Sequence, residues 1–355
     1  MTIAAHPLVA AARRLADDLL APRAQHVDQE GVPESHIEAI RRAGLLGVSA
    51  PREYGGAGAP DPVARKIAEI LAGACCSTWF VQTQHHTPVK LLARSELPVR
   101  ERLLRPLATG GRMAGIAYAH VRAFPRVPVR ATAERGGWRF DGTVPWYTGW
   151  GLNDVMLLAG VCERNDVVFA FADAREQPGL RPSPPMRLAA LTAARTVSLE
   201  LDGLWLPEES VVLRTPREKF ALIDIPRSTN ASPAVFGVAY AALRVLEGTP
   251  DGTETARALR ARLDEVRRRA YALADHAVPH EHVEERLALK TRAYDLMRAA
   301  TTAAVVASGG RAMDLFSPAQ RLAREGMFLL VQGQTTAVRG AHLAALAATG
   351  TEGAS

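Results

Sequence analysis

The spacing of apolar residues changes period twice along this chain of 355 residues, and that double change constrains the fold more than any single motif. Up to about residue 113 the period is helical: Leu8, Ala11, Leu15, Leu19 and Leu20 recur three or four apart. Pro33-Glu34-Ser35 opens a second helix through Ile37, Ile40 and Ala43, which Gly44 and Gly47 close. Further helices are expected over 62–74 and 77–94. From Met113 the runs shorten and turn β-rich: "MAGIAYA", "VRATAER", "GWRFDGT", "DVMLLAG" and "VVFAFAD", separated by Gly, Pro and charge. "TVSLELDGLWLP" (196–207) alternates apolar and polar residues as a half-buried strand does. After Pro226 helices return, the first of them (232–247) apolar nearly all round. Helices, then strands, then helices predict a segregated α+β fold, not a βαβ repeat. The expected sections are an N-terminal α-helical domain over 1–113, a middle β domain over 114–214 and a C-terminal helical bundle over 215–355.

Composition removes several classes of function. The net charge of +6 comes mostly from arginines scattered among acids on helices (Arg257, Arg260, Arg262, Arg267), which reads as a solvated face. Nucleic-acid surfaces cluster their charge, and aromatics here are only 6% with no stacking pattern. Three cysteines, Cys75, Cys76 and Cys162, include no CxxC pair, so a reduced, cytoplasmic setting is expected. The first residues carry Asp17-Asp18 inside their apolar stretch, unlike a signal peptide, and no run approaches the roughly eighteen apolar residues of a membrane span. There is no Gly-x-Ser-x-Gly elbow, Walker loop or strand-led Gly-x-Gly-x-x-Gly. His276, His280 and His282 lie in "DHAVPHEHVEE", where Pro279 interrupts the helix a His-x3-His metal pair needs; a polar turn and no metal is the reading.

One segment is odd. In "REGMFLLVQGQTTAVRG" (324–340) an apolar run, long enough to pack in a core, gives way to Gln332-Gly333-Gln334-Thr335-Thr336 with no carboxylate. With three other strings it supplies a likeness. "AGLLGVSAPREYGGAG" (43–58), "WRFDGTVPWYTGWGLNDVMLLAG", "VSLELDGLWLPEESVV" and "SGGRAMDLFSPAQRLAREGMFLLVQGQTT" resemble, in order and interval, strings of the acyl-CoA dehydrogenase flavoprotein family. The resemblance spans essentially the whole chain. It implies a helical domain, a β-barrel-like middle and a C-terminal four-helix bundle, usually as a homodimer or homotetramer, with FAD between the last two parts. In the family's reaction a glutamate removes the α-proton of an acyl thioester while the β-hydride passes to the flavin.

Carried over residue by residue, the likeness assigns cofactor binding to Trp146 and Thr148 of "WYT", to Tyr118, and to Gly309, Gly310, Gly333 and Arg324 of the C-terminal series. An indole stacks on a flavin ring, and the hydroxyl beside it reaches the ring's polar edge. Gln332 falls where the family most often has its glutamate. An amide cannot accept a proton at ordinary pH, and losing a general base costs on the order of a hundred- to ten-thousand-fold in rate. The family's other base position falls near Ser228 or Thr229, with Asp224 the acid in that stretch. His85, His86 and His120 are the remaining candidates for moving a proton, because imidazole titrates near neutrality; the plain alternative is a packed or capping ring.

Other departures concern the cofactor. "YAHVRAFPRVPV" (118–129) replaces the Thr-Glu-Pro-x-x-Gly-Ser-Asp stretch, the Arg that reaches the FAD diphosphate across a subunit interface is missing from 246–256, and Val306 stands for a Gln. The isoalloxazine contacts look kept and the diphosphate contacts eroded, so FMN or a diffusible reduced flavin stands beside FAD. The expected function is a flavin-dependent oxidoreductase, a specialised biosynthetic monooxygenase or oxidase acting on a small molecule or an acyl thioester, with a flavin reductase or a carrier protein as candidate partners. The alternatives are a dehydrogenase of CoA- or carrier-protein-bound acyl chains with a displaced base (His120, Tyr118 or Asp224), and a non-redox enzyme or scaffold that has lost flavin.

Overall fold

The structure, a computed structural model, describes residues 2–348. They divide into two compact units: residues 2–67 with 77–220, and residues 68–76 with 221–348.

The first unit opens with one long helical stretch, Pro7–Leu15 running through a π turn, Ala16–Leu20, into Ala21–Glu30. Pro22 has no N–H to return, and the N–H of Ala21 reaches back five residues to the Ala16 carbonyl, which widens the turn. Glu34–Arg42 follows behind Pro33, and Gly44 leaves it with φ of 71°. The single helix expected over 77–94 is instead two, Cys76–Thr83 and His86–Ala93. The break falls at Gln84-His85, where the His85 ring is bonded to backbone elsewhere in the unit.

Eight strands form one mixed sheet: β1 (Ala114–Ala117), β2 (Val129–Glu134), β3 (Gly137–Tyr147), β4 (Val155–Val161), β5 (Asp166–Asp173), β6 (Leu180–Pro182), β7 (Val197–Pro207) and β8 (Val211–Pro216). Their order is β6-β7-β3-β2-β4-β5-β8, with β1 parallel to β4. Every residue of β4, "VMLLAGV", is buried, because successive side chains enter two different cores. Met156 and Leu158 join the cluster of Phe140, Val144, Tyr147 and Leu199. Val155, Leu157 and Ala159 join that of Leu104, Tyr118, Phe169 and Phe220.

In the second unit Pro233–Glu247, Thr253–His276, Val283–Ser308 and Pro318–Val331 pack as a four-helix bundle, and Thr336–Ala348 lies on Val283–Ser308. The nearly all-apolar helix Pro233–Glu247 buries Val235, Phe236, Val238 and Leu243. It crosses the end of helix Asp61–Ala74 at two glycines: a Cβ on Gly237 would lie 2.3 Å from the Glu69 carbonyl oxygen, and one on Gly73 would lie 2.6 Å from the Gly237 carbonyl oxygen. Beside this crossing the buried Glu69 carboxylate accepts from Nε and Nη2 of Arg267, at 2.5 and 3.1 Å, and from the Tyr271 hydroxyl at 2.6 Å. Buried charges persist only when matched in this way. Two more cations close the C-terminal end of helix Arg217–Thr229: Lys290 Nζ donates to the Ser228 carbonyl at 2.7 Å, and Arg286 Nη1 to Asn230 Oδ1 at 2.6 Å.

Candidate functional site

Trp146 owes its exposure to an irregularity in strand pairing. Val144 faces Leu199 and Tyr147 faces Val197, so β3 spends three steps where β7 spends two. The extra residue turns Pro145-Trp146 off the ladder, as a bulge does. Val144 and Tyr147 stay in the core, while the indole of Trp146 is 55% exposed. Large apolar side chains presented in this way beside polar groups mark contact surfaces.

The turn after Trp146 is held from several sides. Asn153 Nδ2 donates to the Tyr147 hydroxyl at 3.0 Å and to the Thr148 carbonyl at 2.9 Å. The N–H groups of Gly149 and Trp150 donate to the carbonyls of Ala194 and Arg195. Gly149 has φ of 82°, and a Cβ there would sit 2.7 Å from Asn153 Nδ2, so both backbone angle and space call for glycine. Burial raises the Tyr147 pKa above the ordinary phenol value, so its hydroxyl stays protonated. The Thr148 hydroxyl is buried and paired with that of Thr196 at 3.2 Å.

Each of the three candidate histidines has a structural partner, backbone for His85 and His120 and the Gln82 amide for His86. His85 is fully buried; its Nδ1 accepts from the Ala114 N–H at 3.0 Å, so its Nε2 carries the proton donated to the Leu107 carbonyl at 3.1 Å. No ring nitrogen is left for a substrate. Half-buried His86 accepts at Nε2 from the Gln82 amide, which also donates to the Leu45 carbonyl. His120 serves a gap in the sheet: β1 pairs with Val155–Leu158 and β2 meets β4 only at Val161, and the intervening Ala159 carbonyl takes the His120 Nε2–H at 2.9 Å. Tyr118 packs among aromatic neighbours. Its ring is buried edge-on against Phe169 and Phe220, at 5.4 and 6.4 Å between centroids, and belongs to the core.

Burial pushes all three imidazoles down, His85 and His120 to about 4 and His86 to about 3, the last helped by His85 and Lys90. An unfolded ring takes a proton below its ordinary value near 6.5, and these folded rings resist until pH 4 or lower. Their contribution is therefore whole above pH 6.5 and lost as pH falls towards 4. We expect stability to drop by on the order of a few kcal/mol across that window. Urea denaturation at pH 7.5, 5.5 and 4.5 measures it, and His120→Asn, which keeps a donor for Ala159, flattens the slope. An unchanged slope in that variant would show that His120 takes no part.

Within the second unit, Gln332 ends helix Pro318–Val331, its N–H on the Phe328 carbonyl at 3.1 Å; Gly333 follows with φ of 66°. The side-chain amide of Gln332 is half-buried and makes no hydrogen bond among the described residues. The run before it is not one buried stretch, as its composition suggests. Met327 and Val331 are exposed, while Leu322, Gly326 and Leu329 face inward with a buried ion pair, Arg321 Nη1 to Glu325 Oε1 at 2.6 Å. Glu325 thus pairs one turn back with Arg321, whereas Arg324 bonds Gln320 Oε1 at 2.7 Å. Gly309, with φ of 58°, and Gly310 end helix Val283–Ser308 in open space, with no atom within 4 Å of a Cβ at either. Ser228 and Thr229 turn their hydroxyls to carbonyls of their own helix, and Asp224 is buried.

Sequence reasoning missed Thr196 and Asn153, which shape the turn at Thr148, and Arg321. The signals were slight: a hydroxyl just before a strand, an amide in a Gly-rich turn, and an i,i+4 charge pair. Among the described residues no group of three or more His, Cys, Asp or Glu can hold a metal, and no helix is long and apolar enough to cross a membrane.

The family model described as acyl-CoA dehydrogenase, N-terminal domain, matches residues 4–111. The probable acyl-CoA dehydrogenase fadE25 of Mycobacterium leprae is 26% identical over 247 residues, 66% of this chain and 63% of that protein; the chain thus spans less than two thirds of this relative's length. The butyryl-CoA dehydrogenase of Megasphaera elsdenii superposes with a TM-score of 0.81 at 16% identity, covering 96% of this chain and 97% of the other. Dibenzothiophene monooxygenase (TdsC) of Paenibacillus sp. A11-2 superposes with a TM-score of 0.73 at 17% identity, covering 90% and 92%. The chain has the fold of the acyl-CoA dehydrogenases, and its N-terminal third matches that family's N-terminal domain.

Proposed function

We propose that this chain is a flavin-dependent oxidoreductase that takes FAD, with FMN or a diffusible reduced flavin in its place if the diphosphate contacts have been lost. The observation that carries the proposal is the pairing of a projecting indole, Trp146, with a held hydroxyl, Thr148, two residues on. The residues fit the group: a flat ring stacks on the indole, and Thr148 gives its polar edge a partner. Bound flavin supplies two-electron chemistry; the protein binds it, orients it and shields it from water. Gly309, Gly310, Gly333 and Arg324 are cofactor candidates by the sequence resemblance alone.

Gln332 argues against β-oxidation, because its amide cannot take the α-proton of an acyl thioester. A monooxygenase or oxidase has no need of that carboxylate, and the shared fold of a dibenzothiophene monooxygenase supports such a reading on this scaffold. A small molecule or an acyl thioester is the substrate class, and a flavin reductase the partner if reduced flavin arrives by diffusion. Exposed Val306, Met313, Leu315 and Phe316 in the second unit support assembly with further copies of the chain. A second reading keeps an acyl chain on CoA or a carrier protein, with buried Asp224 as base.

Titration of the purified protein with FAD, FMN and reduced flavin, followed by visible absorption, tests the proposal. We expect saturable binding of at least one form, weakened by Trp146→Ala, and no anaerobic bleaching of oxidised flavin by a straight-chain acyl-CoA. Rapid bleaching would favour the dehydrogenase. Absence of affinity for every flavin would refute the proposal and favour a non-redox enzyme or scaffold.

A further inference from the structure

We infer that Thr196 is a positioning residue for the flavin site, the inner member of a two-hydroxyl relay that aims the Thr148 proton outward. The inference rests on the flavin reading above and extends it to a residue that the motif does not contain. The two hydroxyl oxygens lie 3.2 Å apart, in residues only 6% and 3% exposed. One hydrogen bond joins them, so only one of the two protons is used. Neither hydroxyl has a second partner among the described residues.

The choice of donor follows from where the spare proton can go. If Thr148 donated, the Thr196 proton would be left in the more enclosed position with nothing to receive it, the costly arrangement for a buried donor. If Thr196 donates, its proton is used, and the spare one belongs to Thr148, two residues from the exposed indole. Both oxygens are held in place. Thr148 is fixed through its carbonyl by Asn153 Nδ2, and Thr196 through its carbonyl by the Met186 N–H at 2.8 Å and by the start of β7 beside it. The pair on this reading leaves Thr148 with a spare proton for an acceptor on a ring stacked against Trp146. A residue of this kind tunes relative affinity for oxidised and reduced flavin and does not touch the substrate.

The test uses the full chain with FAD, and with FMN if that is the flavin bound. Thr196→Val keeps the volume and removes the hydroxyl, Thr196→Ser keeps the hydroxyl, and Thr148→Val serves as comparator. For each, the dissociation constants of oxidised and reduced flavin and the absorption maximum of the bound oxidised form are measured. We expect Thr196→Val to change the ratio of the two constants by about five- to tenfold, the worth of one net hydrogen bond. It should also shift the absorption maximum in the direction of Thr148→Val, while Thr196→Ser stays within about twofold of the native ratio. The inference is overturned if Thr196→Val leaves ratio and spectrum native while Thr148→Val alters them, or if valine and serine act alike; the flavin reading survives both results. If neither native protein nor any variant binds flavin, the reading fails and the inference with it.

Discussion

Gly237→Ala is expected to lower stability by about 3 kcal/mol or more, the largest single-residue effect foreseen for this chain. Its Cβ would sit 2.3 Å from the Glu69 carbonyl oxygen and 3.0 Å from the Gly73 nitrogen, both backbone atoms that no rotamer change can move. Relief requires parting two helices, the first of which is also tied to helix Thr253–His276 by the bonds from Glu69 to Arg267 and Tyr271. Gly73→Ala meets the same obstacle from the other side, at 2.6 Å from the Gly237 oxygen. Gly340, within helix Thr336–Ala348, has no atom within 4 Å of its Cβ position, so Gly340→Ala should raise stability by about 0.5–1 kcal/mol. Urea unfolding of the three variants against the native chain measures both signs. A native midpoint for Gly237→Ala would mean that the helices do not approach as described.

The second large effect concerns chemistry. Gln332→Glu changes an amide into a carboxylate of the same shape, at a position whose side chain has no hydrogen bond among the described residues to lose. If the proposed site is right, the change supplies the missing proton acceptor. Anaerobic bleaching of bound flavin by an acyl-CoA should then accelerate on the order of a hundredfold or more. Stopped-flow absorbance at matched flavin occupancy reads it. An unchanged rate with flavin bound would show that residue 332 does not face the reacting carbon, and the argument from its amide would fall.

Much of the architecture was legible because it depends on period and punctuation. Leu8 to Leu20, the buried β4 run and the alternation of 196–207 carry their geometry in their spacing, and Pro33 and Gly44 mark a helix that starts and stops where they stand. The candidate site was legible only in part. A Trp-x-Thr string is local, so the exposed indole and the held threonine could be named. Exposure of that indole depends on a pairing irregularity with β7 some fifty residues on, which no local pattern announces. The partners of the histidines were hidden for a related reason. A sequence shows that imidazole can titrate but not that the Leu107, Ala114 and Ala159 backbone groups need partners, and in a folded interior that need prevails. Tyr118 was taken by aromatic neighbours distant in sequence, Phe169 and Phe220.

Helix Pro318–Val331 turns its ion pair inward and its methionine and valine outward. A greasy cylinder could roll among its neighbours at little expense, each new facing nearly as comfortable as the last. This one cannot, since a rotation by one residue would press Met327 into the space beside Met297 and Thr301 that Gly326 now leaves open. The bundle therefore fixes the bearing of the rod, and with it the direction in which the amide at its tip, Gln332, leaves the last turn.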